Sequence, residues 1–144
     1  MKHFDRAYLI WALSWAAAGM ALGIFMAASG NHGEFVAHAH ILLVGFVTSL
    51  IYAVIHKLWL PAPAKVTGTV QFVLHQAGAI AMSAGLLMLY GGFASESRLA
   101  PLLGPSAIAI ILGMLLMLVM VVRAGSSTQA HGVDAVEARR AAAN

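Results

Sequence analysis

Four long apolar stretches, separated by short polar or turn-forming segments, dominate the pattern along this chain. They cover residues 7–28, 35–60, 66–91 and 101–122. Each reaches the length of about 20 mostly apolar residues that a helix needs to cross the hydrocarbon core of a bilayer. The pattern therefore predicts an all-α fold in which residues 1–123 form a bundle of four transmembrane helices and residues 124–144 form a tail.

The breaks between these stretches carry residues that favour turns. The first break, Ser29 to Gly33, contains two glycines and an asparagine, and Pro61 and Pro63 end the second stretch. The third break runs from Gly91 to Arg98. Pro101 then suits the first turn of a fourth helix, because a proline there removes no helical hydrogen bond.

Composition supports a membrane protein and excludes several functions. Of the 144 residues, 61% are hydrophobic and only 9% are charged, whereas a soluble domain has roughly 25% charged residues. The chain has no cysteine, so disulfides, thiolate metal sites and thiol catalysis are excluded. All five acidic residues lie outside the apolar stretches, which leaves no hydrolytic triad or complete catalytic centre in the bundle. The net charge of +3 forms no basic patch for nucleic acid, so the predicted partner is the lipid bilayer.

The distribution of lysine and arginine predicts the orientation. Cytoplasmic segments are enriched in these residues. If the four helices alternate in direction, Arg98 lies on one side of the membrane and the other seven basic residues lie on the opposite side. We therefore expect both termini in the cytoplasm of a bacterium, with the chain as a multi-pass protein of its inner (cytoplasmic) membrane. The first apolar stretch is longer than the core of a signal peptide, so we expect it to remain as a span. The basic residues of the other side are Lys2, Arg6, Lys57, Lys65, Arg123, Arg139 and Arg140.

Seven histidines are unusual in so apolar a chain, and His38, His40, His56 and His75 lie inside the second and third stretches. Ionisable residues within a membrane are costly and are usually functional. His38 and His56 are separated by 18 positions, close to five turns of an α-helix, so they are predicted to share one face. That face also carries small and polar residues and is predicted to point into the bundle, whereas His40 lies about 200° from His38. The small and polar residues are Gly45, Ser49 and Tyr52.

The heights of these histidines along the bundle limit which of them can share a ligand. Counting back through the second turn places His75 level with about Ile51. This height is about 7–8 Å from that of His56 and about 18–20 Å from that of His38. His56 and His75 are therefore predicted to be able to approach one site, whereas His38 and His75 cannot hold one iron within an ideal bundle. A second copy of the chain is the expected source of a missing ligand, so we expect a homo-oligomer, with a dimer favoured.

Neutral imidazole binds zinc, copper and iron. Zinc normally needs three or four protein ligands, and no carboxylate lies near these histidines in the membrane. Haem needs only one or two axial ligands and apolar surroundings. Glycines such as Gly19 and Gly23 are expected to be helix contacts, with room for a flat cofactor as the other interpretation. The residues therefore favour haem b, with copper or zinc binding or transport as the alternative function.

The run from His38 to Thr48, followed by Tyr52 and His56, resembles a helix of the haem-copper oxidase subunit I superfamily and its smaller relatives, such as the NnrS-type haem membrane proteins. The resemblance implies a haem b-binding membrane cytochrome that transfers electrons or binds a gas, with a redox partner. It also implies that His38 or His40, at the periplasmic end, is an axial ligand. The oxidases take their remaining haem and copper ligands from later helices, which have no counterpart in this chain.

Overall fold

The computed structural model describes residues 3–60 and 65–142, with side chains described as far as Ala124. These residues contain no strand, so the predicted all-α fold is confirmed. All four helices are long and apolar enough to cross a membrane, and in the last of them the spanning part is Glu96–Ala124. The chain is therefore a multi-pass membrane protein. The helices are α1 (Phe4–Ser29), α2 (Phe35–Leu58), α3 (Lys65–Tyr90) and α4 (Glu96–Ala142).

The helix α2 contains a π-helical segment. Its first turns, Phe35–His40, and its last, Thr48–Leu58, are α-helical, and the seven residues Ile41–Val47 between them are π-helical. The Thr48 hydroxyl follows the wider winding and donates to the carbonyl of Leu43, five residues back, at 2.9 Å. Such segments inside α-helices are rare and are frequently found at functional sites. This one begins directly after His40.

The first loop lies where the sequence predicts it. It begins at Gly30, whose φ of 66° is a left-handed conformation that glycine adopts without strain and that commonly ends a helix. The turn predicted at Pro61 and Pro63 lies outside the described residues, as do the side chains of His131, Arg139 and Arg140.

The predicted start of the fourth helix is wrong by one and a half turns. The helix begins at Glu96 instead of Pro101, and Pro101 and Pro105 both lie inside it. The carbonyl of Ser95 accepts the backbone N–H groups of Arg98 and Leu99, and the negative charge of Glu96 suits the positive end of the helix dipole. These interactions allow the helix to begin before the prolines. Its backbone continues as far as Ala142, so no helix end marks the predicted boundary after residue 123.

The four helices pack as two pairs. α1 packs along α2 and α3 packs along α4, and contacts between α2 and α3 join the pairs. Glycines allow these close approaches, as small residues do in membrane bundles. A Cβ atom at Gly45 of α2 would lie 2.6 Å from the Trp15 ring of α1, and one at Gly78 of α3 would lie 3.0 Å from the backbone oxygen of Ser106.

The glycine pair of α1 also serves as a contact surface. The side chain of Leu42 packs against Gly19, and the ring of His38 packs against Gly23, where an added Cβ would lie 3.1 Å from its Cε1 atom. The prediction of a helix contact at these two glycines is therefore confirmed, and side chains of α2 fill the space beside them.

Candidate functional site

The inward face of α2 is the one that the histidine spacing predicts. Gly45, Ser49, Tyr52 and His56 are all buried in the bundle, which confirms this part of the prediction. His38 and His56 both pack against α1, but about 15 residues of that helix, or roughly 22 Å, separate their contacts. His38 touches Gly23, whereas His56 stacks on Phe4 and Tyr8 with ring centroids 5.2 and 5.6 Å apart.

His56 and His75 meet in one aromatic cluster, which also contains Tyr8, Tyr52 and Phe72. The ring of Tyr8 lies 5.6 Å from that of His56 and 6.1 Å from that of His75. The rings of Tyr52 and His75 are 4.9 Å apart, edge to face. The prediction that His56 and His75 approach one region of the bundle is confirmed, and His38 lies far from it at the other end of α2.

A chain of hydrogen bonds reaches His75 from α1. The indole nitrogen of Trp15 can only donate, so it fixes the amide of Gln76 with Oε1 as the acceptor, at 3.1 Å. The Gln76 amide nitrogen then donates to the Ser49 hydroxyl at 2.9 Å, and this hydroxyl lies 3.3 Å from Nε2 of His75. Nε2 of His75 is therefore already engaged by a protein hydrogen bond.

A second chain of hydrogen bonds joins α1, α3 and α4. The Tyr8 hydroxyl donates to Oε1 of the fully buried Gln71 at 2.6 Å, and the Gln71 amide nitrogen donates to the carbonyl of Gly113 at 3.3 Å. Interhelical hydrogen bonds in membrane bundles contribute about 0.6–2 kcal/mol each. The sequence leaves open whether Gln71 and Gln76 orient His75 or bridge helices. Both bridge helices, and Gln76 reaches His75 only through Ser49.

The aromatic cluster also holds polar atoms without hydrogen-bond partners. In the cluster these are the Tyr52 hydroxyl, both ring nitrogens of His56 and Nδ1 of His75; elsewhere among the described side chains, Nδ1 of His38 and Oε2 of Glu34 are also buried without a partner. Most buried polar groups in proteins have a partner, and a missing one costs about 1–3 kcal/mol. Only 3% of the His56 surface is exposed, and the rings of Phe4 and Tyr8 pack against it. The cluster therefore contains nitrogen atoms free of hydrogen bonds, but aromatic rings fill the space around them.

His40 has a different environment near the start of α2, where it is half-buried. Its Nδ1 atom lies 2.9 Å from the backbone carbonyl of Val36. A carbonyl oxygen can only accept, so Nδ1 carries the proton of the neutral ring and Nε2 keeps its lone pair. Histidines that bind metals use this arrangement, because the hydrogen bond fixes both the tautomer and the orientation of the ring.

A row of exposed apolar side chains follows His40 along α2. These side chains recur at intervals of three or four residues, and the first of them lies three residues after His40. The first member, Leu43, is 61% exposed. These residues, Leu43, Val47, Ile51, Val54 and Leu58, are called the outer stripe below.

Among the side chains that the structure describes, the remaining histidines form no metal cluster. His3 and His32 are exposed, and no group of three or more histidine or acidic side chains comes together among the described residues. The structure therefore does not bring together the ligand set that zinc usually requires.

Sequence reasoning missed three residues of the aromatic cluster and its surroundings, Phe4, Tyr8 and Phe72. Tyr8 contacts four of the rings, and Phe4 stacks on His56 one turn away. The helical spacing of Phe4, Tyr8 and Trp15 on α1 is the signal that indicates a common inward face.

Comparison with protein-family models, curated proteins and solved structures found no match to this chain.

Proposed function

We propose that this protein is a membrane cytochrome that binds haem b through His40 and transfers electrons or binds a gas molecule at the iron. One observation supports this choice of ligand. The hydrogen bond from Nδ1 of His40 to the Val36 carbonyl leaves Nε2 as a lone-pair donor in a fixed ring. Imidazole in this state is a good ligand for iron, and haem needs only one or two such ligands.

The surroundings of His40 suit a large, apolar cofactor. The ring is only half-buried and lies beside the outer stripe, so a porphyrin can approach it without entering the packed interior. Haem bound there would supply the one-electron chemistry and the iron that binds a gas molecule. This chain would supply the ligand nitrogen of His40, the carbonyl of Val36 that orients it, and apolar side chains that exclude water.

The other candidate histidines are less suited to hold haem. His75 has Nε2 hydrogen-bonded to Ser49, and Tyr8 and Phe4 pack against His56. His38 is half-buried, with its ring against Gly23 of α1. The resemblance of the segment from His38 to Thr48 to the haem-copper oxidase helices supports a haem ligand at this end of α2, and the geometry favours His40 within that segment.

The proposed orientation places His40 near the periplasmic surface of the bacterial inner membrane and both termini in the cytoplasm. It rests on the excess of lysine and arginine at the other end of the helices. A fusion of alkaline phosphatase or green fluorescent protein to the C-terminus tests it. We expect fluorescence and no phosphatase activity, because the phosphatase needs the periplasm to become active. The reverse pattern would contradict the orientation.

Copper binding is the second candidate, and one observation favours it. His56 and His75 contribute three ring nitrogens without hydrogen bonds to the aromatic cluster. Copper accepts imidazole ligands, and a site between two helices would stabilise the bundle. Metal analysis of the purified protein separates the two candidates, since His56→Ala lowers the metal content in this case and His40→Ala does not.

Absorption spectra of the detergent-purified protein, oxidised and reduced, with a pyridine haemochrome assay, test the haem proposal. We expect a Soret band and sharp reduced α bands in the wild type, loss of haem in His40→Ala, and retention in His56→Ala and His3→Ala. His3 is exposed at the other end of the bundle and serves as the control. External imidazole should restore haem to His40→Gly, which distinguishes a lost ligand from a misfolded chain.

A colourless wild-type protein, even after incubation with haemin, would reject the proposal. Haem that is retained in His40→Ala and lost in His75→Ala or His56→Ala would move the site to the aromatic cluster.

A further inference from the structure

We infer that one haem is shared by two copies of this chain, with Nε2 of His40 from each copy as its two axial ligands. The inference rests on the proposed function and adds the partner that completes the site. It follows from the position of His40, from the places of the other histidines and from the exposed side of α2.

No other described histidine inside the spans can form an axial pair with His40 in the same chain. His38 is two residues away, about 200° around the helix, and its ring packs on Gly23 of α1. His56 lies 16 residues further along α2, more than about 20 Å away, and His75 shares its aromatic cluster. A haem held by His40 therefore lacks a second histidine from these helices.

A second copy can supply that histidine at the same depth in the membrane. Most homo-oligomers are symmetric dimers in which one surface patch contacts the same patch of the partner. The outer stripe of α2, whose side chains are 37–63% exposed, begins three residues after His40 and is the patch that such a dimer would use. A two-fold axis beside His40 would place two equivalent imidazoles on opposite faces of one porphyrin.

The haem would then determine the dimer geometry. Two packed helices are normally 8–10 Å apart, which leaves no room for two imidazole rings and an iron atom between them. The two α2 helices must diverge at His40 and can approach each other only further along the outer stripe. The dimer should therefore depend on haem, and its stability should fall when the iron–histidine bonds are removed.

The stoichiometry of haem and the mass of the full-length protein in detergent test the inference. We expect one haem per two chains, the mass of a dimer by light scattering, and the low-spin absorption and electron paramagnetic resonance signals of iron with two histidine ligands. His40→Ala should lose both the haem and the dimer, whereas His3→Ala should retain both.

Co-expression of two differently tagged chains gives a second test. When both are wild type, each tag should recover the other chain together with haem. When one of them carries His40→Ala, recovery of the mixed pair should fall at least fivefold, while Ile108→Ala, at an exposed position of α4 outside the outer stripe, should leave it unchanged.

Three results would overturn the inference, and only the last affects the proposed function. A monomer with one haem per chain that requires His40 would show that the chain does not share its haem. Loss of six-coordinate iron in His32→Ala would place the second ligand in the loop before α2. A wild-type protein that binds no haem would reject both proposals.

Discussion

His56→Phe tests whether the aromatic cluster is complete as it stands. The substitution removes the two ring nitrogens that have no hydrogen-bond partner and keeps an aromatic ring next to Phe4 and Tyr8. We expect the variant to be more stable than the wild type. A buried polar group without a partner costs about 1–3 kcal/mol, and replacement by an apolar ring removes that cost.

The expected stabilisation by His56→Phe is smaller than the summed cost of two ring nitrogens without a hydrogen-bond partner. The six-membered ring of phenylalanine is larger than imidazole, and overpacking of a buried site costs about 1–3 kcal/mol. At 3% exposure the ring cannot move out of the bundle to relieve this crowding. A net stabilisation of about 1 kcal/mol therefore remains, which combines the removed polar cost with the added crowding.

Reversible unfolding by sodium dodecyl sulfate in mixed micelles, followed by far-ultraviolet circular dichroism, measures this difference. Two variants serve as matched controls in the same cluster. Tyr52→Phe removes another hydroxyl without a partner and should also stabilise the bundle or leave it unchanged. Tyr8→Phe removes the donor to Gln71 and should destabilise it by about 1 kcal/mol, because the Gln71 oxygen is left unpaired.

Destabilisation by His56→Phe of about 2 kcal/mol or more, with Tyr52→Phe neutral, would refute this reasoning. It would mean that the imidazole nitrogens of His56 have a binding partner in the native protein, because removal of one member of a satisfied buried pair is costly. The measurement would then support copper at the aromatic cluster, and metal analysis of the same samples would identify the ion.

Two further predictions concern Trp15 of α1, which contacts Gly45 of α2 and Gln76 of α3. Gly45→Leu should destabilise the bundle by about 2 kcal/mol or more in the same unfolding assay, because an added Cβ would lie 2.6 Å from the Trp15 ring. Gly104→Ala is the control, since nothing lies within 4 Å of a Cβ added there. Equal effects of the two substitutions would contradict this account. Trp15→Phe should cost about 1 kcal/mol by leaving Oε1 of Gln76 unpaired, and a similar loss in Trp11→Phe would show that ring size, and not the hydrogen bond, is responsible.

The sequence predicts the spans well because length and apolar content alone determine whether a helix can cross a bilayer. It predicts the inward face of α2 because Gly45, Ser49, Tyr52 and His56 recur at helical spacing. It fails at the start of α4, because Pro101 suggests a helix that begins there, whereas the helix begins at Glu96 and contains this proline. Proline is tolerated inside a helix in a membrane because neighbouring groups can satisfy the backbone that it leaves free.

The hydrogen-bond partners of the histidines could not be predicted from spacing. Ser49 and His75 belong to different helices, and their contact depends on how far α3 is shifted along α2. The π-helical segment Ile41–Val47 is equally absent from the pattern, since its residues, from isoleucine to valine, also suit an α-helix. The spacing of Phe4, Tyr8 and Trp15 indicates a common face of α1, but the contacts of Tyr8 with the rings of α2 and α3 depend on how α1 packs against those helices.

The difference between the environment of His40 and that of His56 and His75 is the feature that bears on the proposed function. In the aromatic cluster, side chains of this chain already engage or surround the imidazoles, so a ligand there must displace aromatic rings. At His40 the chain does the opposite, because it fixes one ring nitrogen on a backbone carbonyl and leaves the other without a hydrogen bond to the described residues. The π-helical segment lies between the two environments and changes the winding of α2 directly after His40. This arrangement at His40 is the one that the proposed haem ligand requires, because the hydrogen bond fixes the orientation of the ring that carries the free nitrogen.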